Sequence, residues 1–301
     1  MQGQCRLCLK FAELQVSHII PKFVINWLKQ SSPGHIRTNN NPNRRIQDGY
    51  KQYFLCWDCE QLFSGWEKAF SEFIFYPLHS HPPSTESIKY QTWFLKFAVS
   101  ITWRVLLYCS DLGLAYLTTE QKAIAKRAEK IWRKFLLGRL QNPGQFAQHF
   151  LPLDVVDSNY LFNNSPFINR YLLSTIDMDV VSWKSSPVLV YAKLGRLLLF
   201  GIIVDENGGA FKGTKIQNKG ILKQPTNYAV SSLVLNHIGE RADKTNIAAS
   251  TISPKQQVKI EQMVNENLDK VKTSEFIRGL NYDRAITSGN TSSLNSIDNN
   301  E

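Results

Sequence analysis

The spacing of the cysteines constrains this 301-residue chain more than any other feature. Four of the five fall into two C-x-x-C pairs, Cys5/Cys8 and Cys56/Cys59, with forty-seven residues between them. A C-x-x-C turn brings two thiolates to one tetrahedral cation, and two such turns close a four-sulfur shell around Zn2+. The pattern predicts a structural zinc held by all four. Two unrelated pairs of buried or redox thiols are the alternative, and they leave the matched spacing without a reason. Cys109 stands alone in the apolar run 101–109 and reads as a small core residue. Reduced, metal-binding cysteines suit a cytoplasmic protein. The first ten residues, MQGQCRLCLK, have no apolar core of a secretory signal. The apolar stretch 93–117 is interrupted by Lys96, Arg104 and Asp111, so no membrane span is expected.

The first pair lies in Gln4-Cys5-Arg6-Leu7-Cys8, a knuckle-like turn before an extended run, and the second in Leu55-Cys56-Trp57-Asp58-Cys59-Glu60, where an apolar strand meets a helix. Knuckle, strand, then cysteines at a helix start is the plan of a treble-clef zinc finger. Residues 14–20 alternate as a strand carrying Ser17 and His18, and Pro21 ends it. A short amphipathic helix over 22–29 follows, broken by Pro33-Gly34; 38–49 reads as an exposed Asn-rich loop and 50–55 as a strand. From Trp57, the residues Leu62, Phe63, Trp66, Phe70, Phe73 and Ile74 recur at helical steps, and Trp57, Trp66, Phe70 and Phe73 are assigned to the core.

Residues 79–85, HSHPPST, form a linker by composition. Two helices are expected over 87–117 and 119–140, the second capped at Thr118-Thr119-Glu120, with Lys122, Lys126, Lys130 and Lys134 recurring beside its apolar stripe. From about residue 160 the pattern turns to β, with strands at 171–176, 187–192 and 197–204 and a hairpin signal at 206–209. Helices near 226–240 and 254–270 precede a Ser/Asn/Thr-rich tail. The fold class expected is α+β: a treble-clef finger over 1–80, a basic helical region over 86–141, an α+β domain of unknown role with a mostly antiparallel sheet over 155–270, and a disordered tail over 272–301. Neither a phosphate-binding glycine loop with its lysine nor a G-x-S-x-G motif occurs, so nucleotide hydrolysis and serine esterase chemistry have no support.

The formal charge is +10, and nine of these ten net charges fall in residues 1–145. That placement suits a polyanionic partner, nucleic acid first. Arg44 and Arg45 among asparagines suit phosphate contact, although a solvated loop explains them equally well; Lys122, Lys126 and Lys130 are further candidates, although such stripes are usually solvated faces.

The first strand ends Val16-Ser17-His18-Ile19-Ile20-Pro21, and the second cysteine pair is followed at once by Glu60. The order C-x-x-C, H-I-I-P, C-x-x-C at a helix start resembles the HNH endonucleases, whose ββα-metal motif is built on a treble-clef core. The resemblance covers residues 1–75. It implies hydrolysis of phosphodiester bonds, with His18 as general base, a catalytic Mg2+ or Mn2+ separate from the zinc, and an asparagine that orients the base. Asn43 is the candidate for that role, with Asp48 behind it. The family often has an acidic metal ligand before the base and His or Asn after the last zinc cysteine; here those positions are Ser17 and Glu60. Glu60 is a suitable hard ligand and Ser17 a poor one, so Glu67, Asp58 or substrate phosphate would have to help. DNA is favoured over RNA, and a restriction or phage-defence setting follows by analogy, with the C-terminal region choosing the target or a protein partner. A zinc-finger protein that binds nucleic acid without cutting it, or a protein-interaction scaffold, are the rival readings.

Overall fold

A computed structural model describes residues 1–32, 36–80, 87–183, 187–205, 208–223 and 228–289. The Pro33-Gly34 break, residues 81–85 of the expected linker, Glu206-Asn207 of the hairpin signal and the tail from 290 lie outside them. The chain is α+β, and it divides into two compact units, each assembled from separate stretches. The first comprises Met1–Phe23, Gly49–Pro152 and Asp177–Ala229; the second comprises Val24–Asp48, Leu153–Ile176 and the chain from Val230 onward. This division does not follow the linear segmentation into finger, helical region and α+β domain.

In the first unit, the strands Gln2–Gln4, Phe11–His18 and Lys51–Cys56 form an antiparallel sheet with the middle strand paired on both sides. Leu14 lies opposite Cys56 and His18 opposite Lys51, with one irregularity between Gln15 and Val16 that increases the local twist. Helix Trp57–Phe70 starts directly from the third strand and buries Cys59, Phe63 and Phe70. It continues through a π turn, Ser71–Phe75, into Tyr76–His79.

The long apolar run is helix Thr92–Leu112, buried on every side from Phe94 to Leu106 apart from Lys96, which is why its sequence shows no polar face. Phe70 stacks on Phe97 at 3.8 Å between ring centroids, and Trp103 meets Phe54 and Phe63 edge-on at 5.4 and 6.0 Å. Helix Trp57–Phe70 and the central helix therefore share one core, and a module ending near residue 80 would leave these rings uncovered. Helix Thr119–Leu136 packs on the same central helix. Its capping box is completed by Gln121 rather than Glu120: the Gln121 N–H donates to Thr118 Oγ1 and the Thr118 N–H to Gln121 Oε1. The other side of the core is an antiparallel sheet in the order Gln148–Pro152, Leu197–Val204, Val188–Leu194, Ile176–Ser182. Its two central strands are buried throughout, so they carry continuous apolar runs instead of alternation.

Two expectations about the first unit are corrected. Trp57 and Phe73 are 60% and 55% exposed, because the inward face of their helix begins at Cys59 and passes through Phe63 and Phe70. Cys109 is half-buried near the end of its helix and does not reach the core.

The second unit holds a hairpin, Ile36–Thr38 with Asn41–Ile46, where a loop was expected, and the helices Ile168–Ser174, Ser232–Ser250, Pro254–Glu266, Leu268–Lys272 and Glu275–Ser288. The run 171–176, read as a strand, is mostly the helix Ile168–Ser174, because a short apolar run carries no decisive periodicity. The start of that helix is fixed from a distance. Asp283 accepts hydrogen bonds from the N–H groups of Asn169 at 2.8 Å and Arg170 at 3.1 Å, which lack helical partners. Within the segment read as disordered, Glu275–Ser288 forms a helix capped by Ser274, with Tyr282, Asp283 and Ala285 buried. Its packing relies on one aromatic ring, a glycine and a buried carboxylate, which leaves a weak apolar signal in the sequence.

A second close approach in this unit gives a direct test of the packing. Helix Ser232–Ser250 crosses the turn Tyr160–Phe162 so tightly that a Cβ on Gly239 would lie 2.0 Å from the Phe162 carbonyl oxygen. Gly239→Ala should lower stability by about 1–3 kcal/mol. Gly65→Ala, in a helix with open space around it, should raise stability by up to about 1 kcal/mol. Thermal melts of the two variants should shift in opposite directions, and an unchanged melt for Gly239→Ala would contradict the crossing.

Candidate metal centre and the His18–Glu60 site

The first C-x-x-C turn is held by backbone bonds: Cys5 N–H donates to the Lys10 carbonyl and Leu9 N–H to the Cys5 carbonyl, both at 2.9 Å. Leu9 closes the turn at φ +65°, a left-handed conformation that costs a non-glycine residue about 1–2 kcal/mol. Arg6 N–H donates to the Phe54 carbonyl at 3.0 Å, tying the turn to the strand that leads to the second pair. Cys56 ends that strand in extended conformation, and Cys59 sits in the first helical turn, where backbone N–H groups favour an anionic sulfur.

The four sulfurs all lie within 4.8 Å of one another, and Cys8 Sγ is 3.7 Å from Cys56 Sγ. A disulfide needs about 2.0 Å. Four sulfurs at about 2.3 Å from a tetrahedral Zn2+ are separated by about 3.8 Å. The group is therefore close enough to hold a metal ion, and its all-sulfur donor set is the one zinc takes in structural sites. The Cys59 thiol, with the backbone N–H groups of Cys56, Cys8 and Leu7, outweighs burial and holds Cys5 down to about 4. Donating that bond pushes Cys59 upward, and burial pushes up Cys8. A dication would replace the shared protons and let all four ionise.

From the same elements rises the second cluster. Ser17 is fully buried, and its hydroxyl donates to Glu60 Oε2 at 2.7 Å across 43 residues of sequence. Leu14, opposite Cys56, starts the strand segment that ends at His18, so one register places Ser17 against the first helical turn. His18 is half-buried at the strand end, where the Ile19 N–H donates to the Tyr50 carbonyl at 2.9 Å.

Behind His18 lies Arg104, a residue the sequence reading used only as an interruption of the apolar run. It is 2% exposed. Its Nη1 donates to the His18 carbonyl at 2.9 Å, Nη2 to Glu67 at 2.7 Å and Nε to the Ser100 carbonyl at 3.1 Å. Glu67 is thus engaged by Arg104, and Asp58 is exposed. Among the described residues, the four cysteines are the only group of three or more His, Cys, Asp and Glu able to share an ion.

The remaining candidates fall elsewhere. Asn43, Arg44, Arg45 and Asp48 belong to the second unit. Both ends of the Asn43 amide are engaged there, Nδ2 with the Thr251 carbonyl at 3.1 Å and Oδ1 with the Ser253 N–H at 2.7 Å. Lys122, Lys126 and Lys130 lie exposed along helix Thr119–Leu136 in the first unit. Among the described residues no helix is long and apolar enough to cross a membrane. No protein-family model, curated protein or solved structure matches the chain.

Proposed function

We propose that this chain is a metal-dependent endonuclease of HNH type acting on nucleic acid, DNA first, with a structural zinc on a treble-clef core. The observation that carries this reading is the Ser17–Glu60 hydrogen bond. The two positions that the family resemblance assigns to the catalytic ion touch, one residue from His18 and one residue from a cysteine of the metal group. His18 serves as general base: an imidazole can accept the proton of an attacking water near neutral pH and release it later. Ser17 fixes one carboxylate oxygen of Glu60 and leaves the other for a cation. Mg2+ commonly binds one or two carboxylates and completes its shell with water and substrate phosphate, so Glu60 alone fits that use. Bound there, the cation would stabilise the charge that develops on the phosphate and leaving oxygen. Asn43 is committed to Thr251 and Ser253, so the reading rests on His18, Glu60 and Ser17.

A second reading, a zinc-finger protein that binds nucleic acid without cutting it, is favoured by one observation: a buried serine stands where a second anionic ligand would strengthen the ion site. Plasmid nicking separates the two. With Mg2+ or Mn2+ added, the wild-type chain should nick, and His18→Ala should lower the rate by about 10²-fold or more while keeping its zinc. Equal nicking by the variant would remove His18 as base, and binding without nicking by the wild type would establish the second reading.

A further inference from the structure

The hairpin Ile36–Thr38/Asn41–Ile46 carries Arg37, Arg44 and Arg45 and no acidic residue. Arg37 and Arg45 are directly opposed across the two strands. Like charges so placed repel, and a fold ordinarily offsets them with a carboxylate. Among the described residues it does not: Arg37 donates to neutral oxygens, the Pro42 carbonyl at 2.7 Å and Gln256 Oε1 at 3.0 Å, and Arg44 and Arg45 have no hydrogen-bond or ion-pair partner. Burial and the neighbouring charge of Arg45 both depress the basicity of Arg37, which fits two guanidinium groups held together without a counter-ion.

The ribbon carrying them is firmly anchored. Asn39 donates to Thr245 Oγ1 at 3.0 Å, and Asn43 bridges the Thr251 carbonyl and the Ser253 N–H, while Gln256 holds Arg37. These bonds fasten the hairpin to helix Ser232–Ser250 and to the start of Pro254–Glu266. Asn43 thereby acquires a role different from orienting a base: it fixes the strand that presents Arg44 and Arg45.

We infer that this hairpin is a preorganised phosphate-binding ribbon, with the guanidinium of Arg45 and the remaining N–H groups of Arg37 clamping one backbone phosphate of a nucleic acid and Arg44, on the other face of its strand, reaching a phosphate on that side. Guanidinium pairs suit the phosphodiester because each presents a planar fork of donors to two oxygens. The inference rests on the nucleic-acid reading and adds the surface that tracks the backbone.

The test measures binding of the full chain, without divalent cations, to a labelled 20-base-pair duplex across a salt series. The variants are Arg45→Glu, Arg44→Ala and, for comparison, Lys122→Ala/Lys126→Ala. Arg45→Glu should weaken binding at least tenfold, and each lost phosphate contact should reduce the slope of log affinity against log salt by about 0.9. The variants should melt no lower than the wild type, and Arg45→Glu, which sets a carboxylate opposite Arg37, should melt slightly higher. Wild-type affinity and salt slope in folded Arg45→Glu and Arg44→Ala would overturn the clamp while leaving nucleic-acid binding in place. No duplex binding by the wild-type chain at low salt would overturn both. Equal affinity for a glutamate-rich peptide of the same charge would assign the hairpin to acidic proteins instead.

Discussion

Cys59→Ser is expected to abolish tight metal binding and to open the amino-terminal sheet, while helix Trp57–Phe70 stays folded. Structural zinc contributes about 10–16 kcal/mol to the folding of isolated zinc fingers, so its loss outweighs any single packing change in this chain. The first strand beside the cysteine group is short. Gln2–Gln4 has three residues, and the turn that follows it stores the left-handed Leu9. The third strand and its helix have another support, because Phe54, Phe63 and Phe70 pack on Trp103 and Phe97. The expected pattern is therefore selective: hydrogen-exchange protection lost over residues 1–18 and retained over 60–75. Metal analysis should fall from one zinc per chain to none, and Cys109→Ser should leave it at one, since Cys109 lies outside the group. Acidification should act in the same direction, because every ligand must be deprotonated to bind and protons compete as pH falls. A Cys59→Ser chain that keeps its zinc and its protection would show that the four sulfurs serve something else.

What could be read from the sequence follows from the range of each interaction. The cysteine group was legible because the C-x-x-C turn imposes the geometry locally and the two turns match. The strand bearing Ser17 and His18, the helix after Cys56 and the buried strands near 190 and 200 were legible from periodicity and apolar runs. The two units were not, since each is woven from stretches that alternate along the chain. Nor was the helix Glu275–Ser288: its partner Asn169 lies 114 residues away, and a carboxylate that satisfies backbone donors leaves no hydrophobic pattern. At the site, Ser17 was weighed from its type alone, as a poor metal ligand, because its hydrogen-bond partner lies 43 residues away. The structure buries it, and its hydroxyl donates to Glu60 across the sheet–helix junction.

Arg104 tests how far the surroundings of His18 depend on residues beyond the amino-terminal sheet and its helix. Its guanidinium is buried, and all three nitrogens donate, to Glu67, to the His18 carbonyl and to Ser100 in its own helix, while the carbon lies 5.2 Å above the ring of Phe63. Arg104→Met keeps the length and apolar stem but removes every donor. Removing one partner of a buried pair typically costs about 3–5 kcal/mol, because the other charge is left unmatched. Glu67 retains 21% exposure and some access to water, which places the expected loss at the lower end, about 3 kcal/mol in a denaturant titration. The double variant Arg104→Met/Glu67→Leu separates charge from packing. With both charges gone it should recover part of the loss, whereas additive losses would mean that Arg104 acts through shape alone. Its effect on His18 has a different signature. Freed from Nη1, the strand end should loosen at residues 17–20, and in the plasmid-nicking test of the proposed function Arg104→Met should lower kcat with little change in KM, since no phosphate contact is removed. Arg104→Lys should recover stability incompletely, because one ammonium cannot span the His18 carbonyl, Glu67 and Ser100 with the fixed fork of a guanidinium.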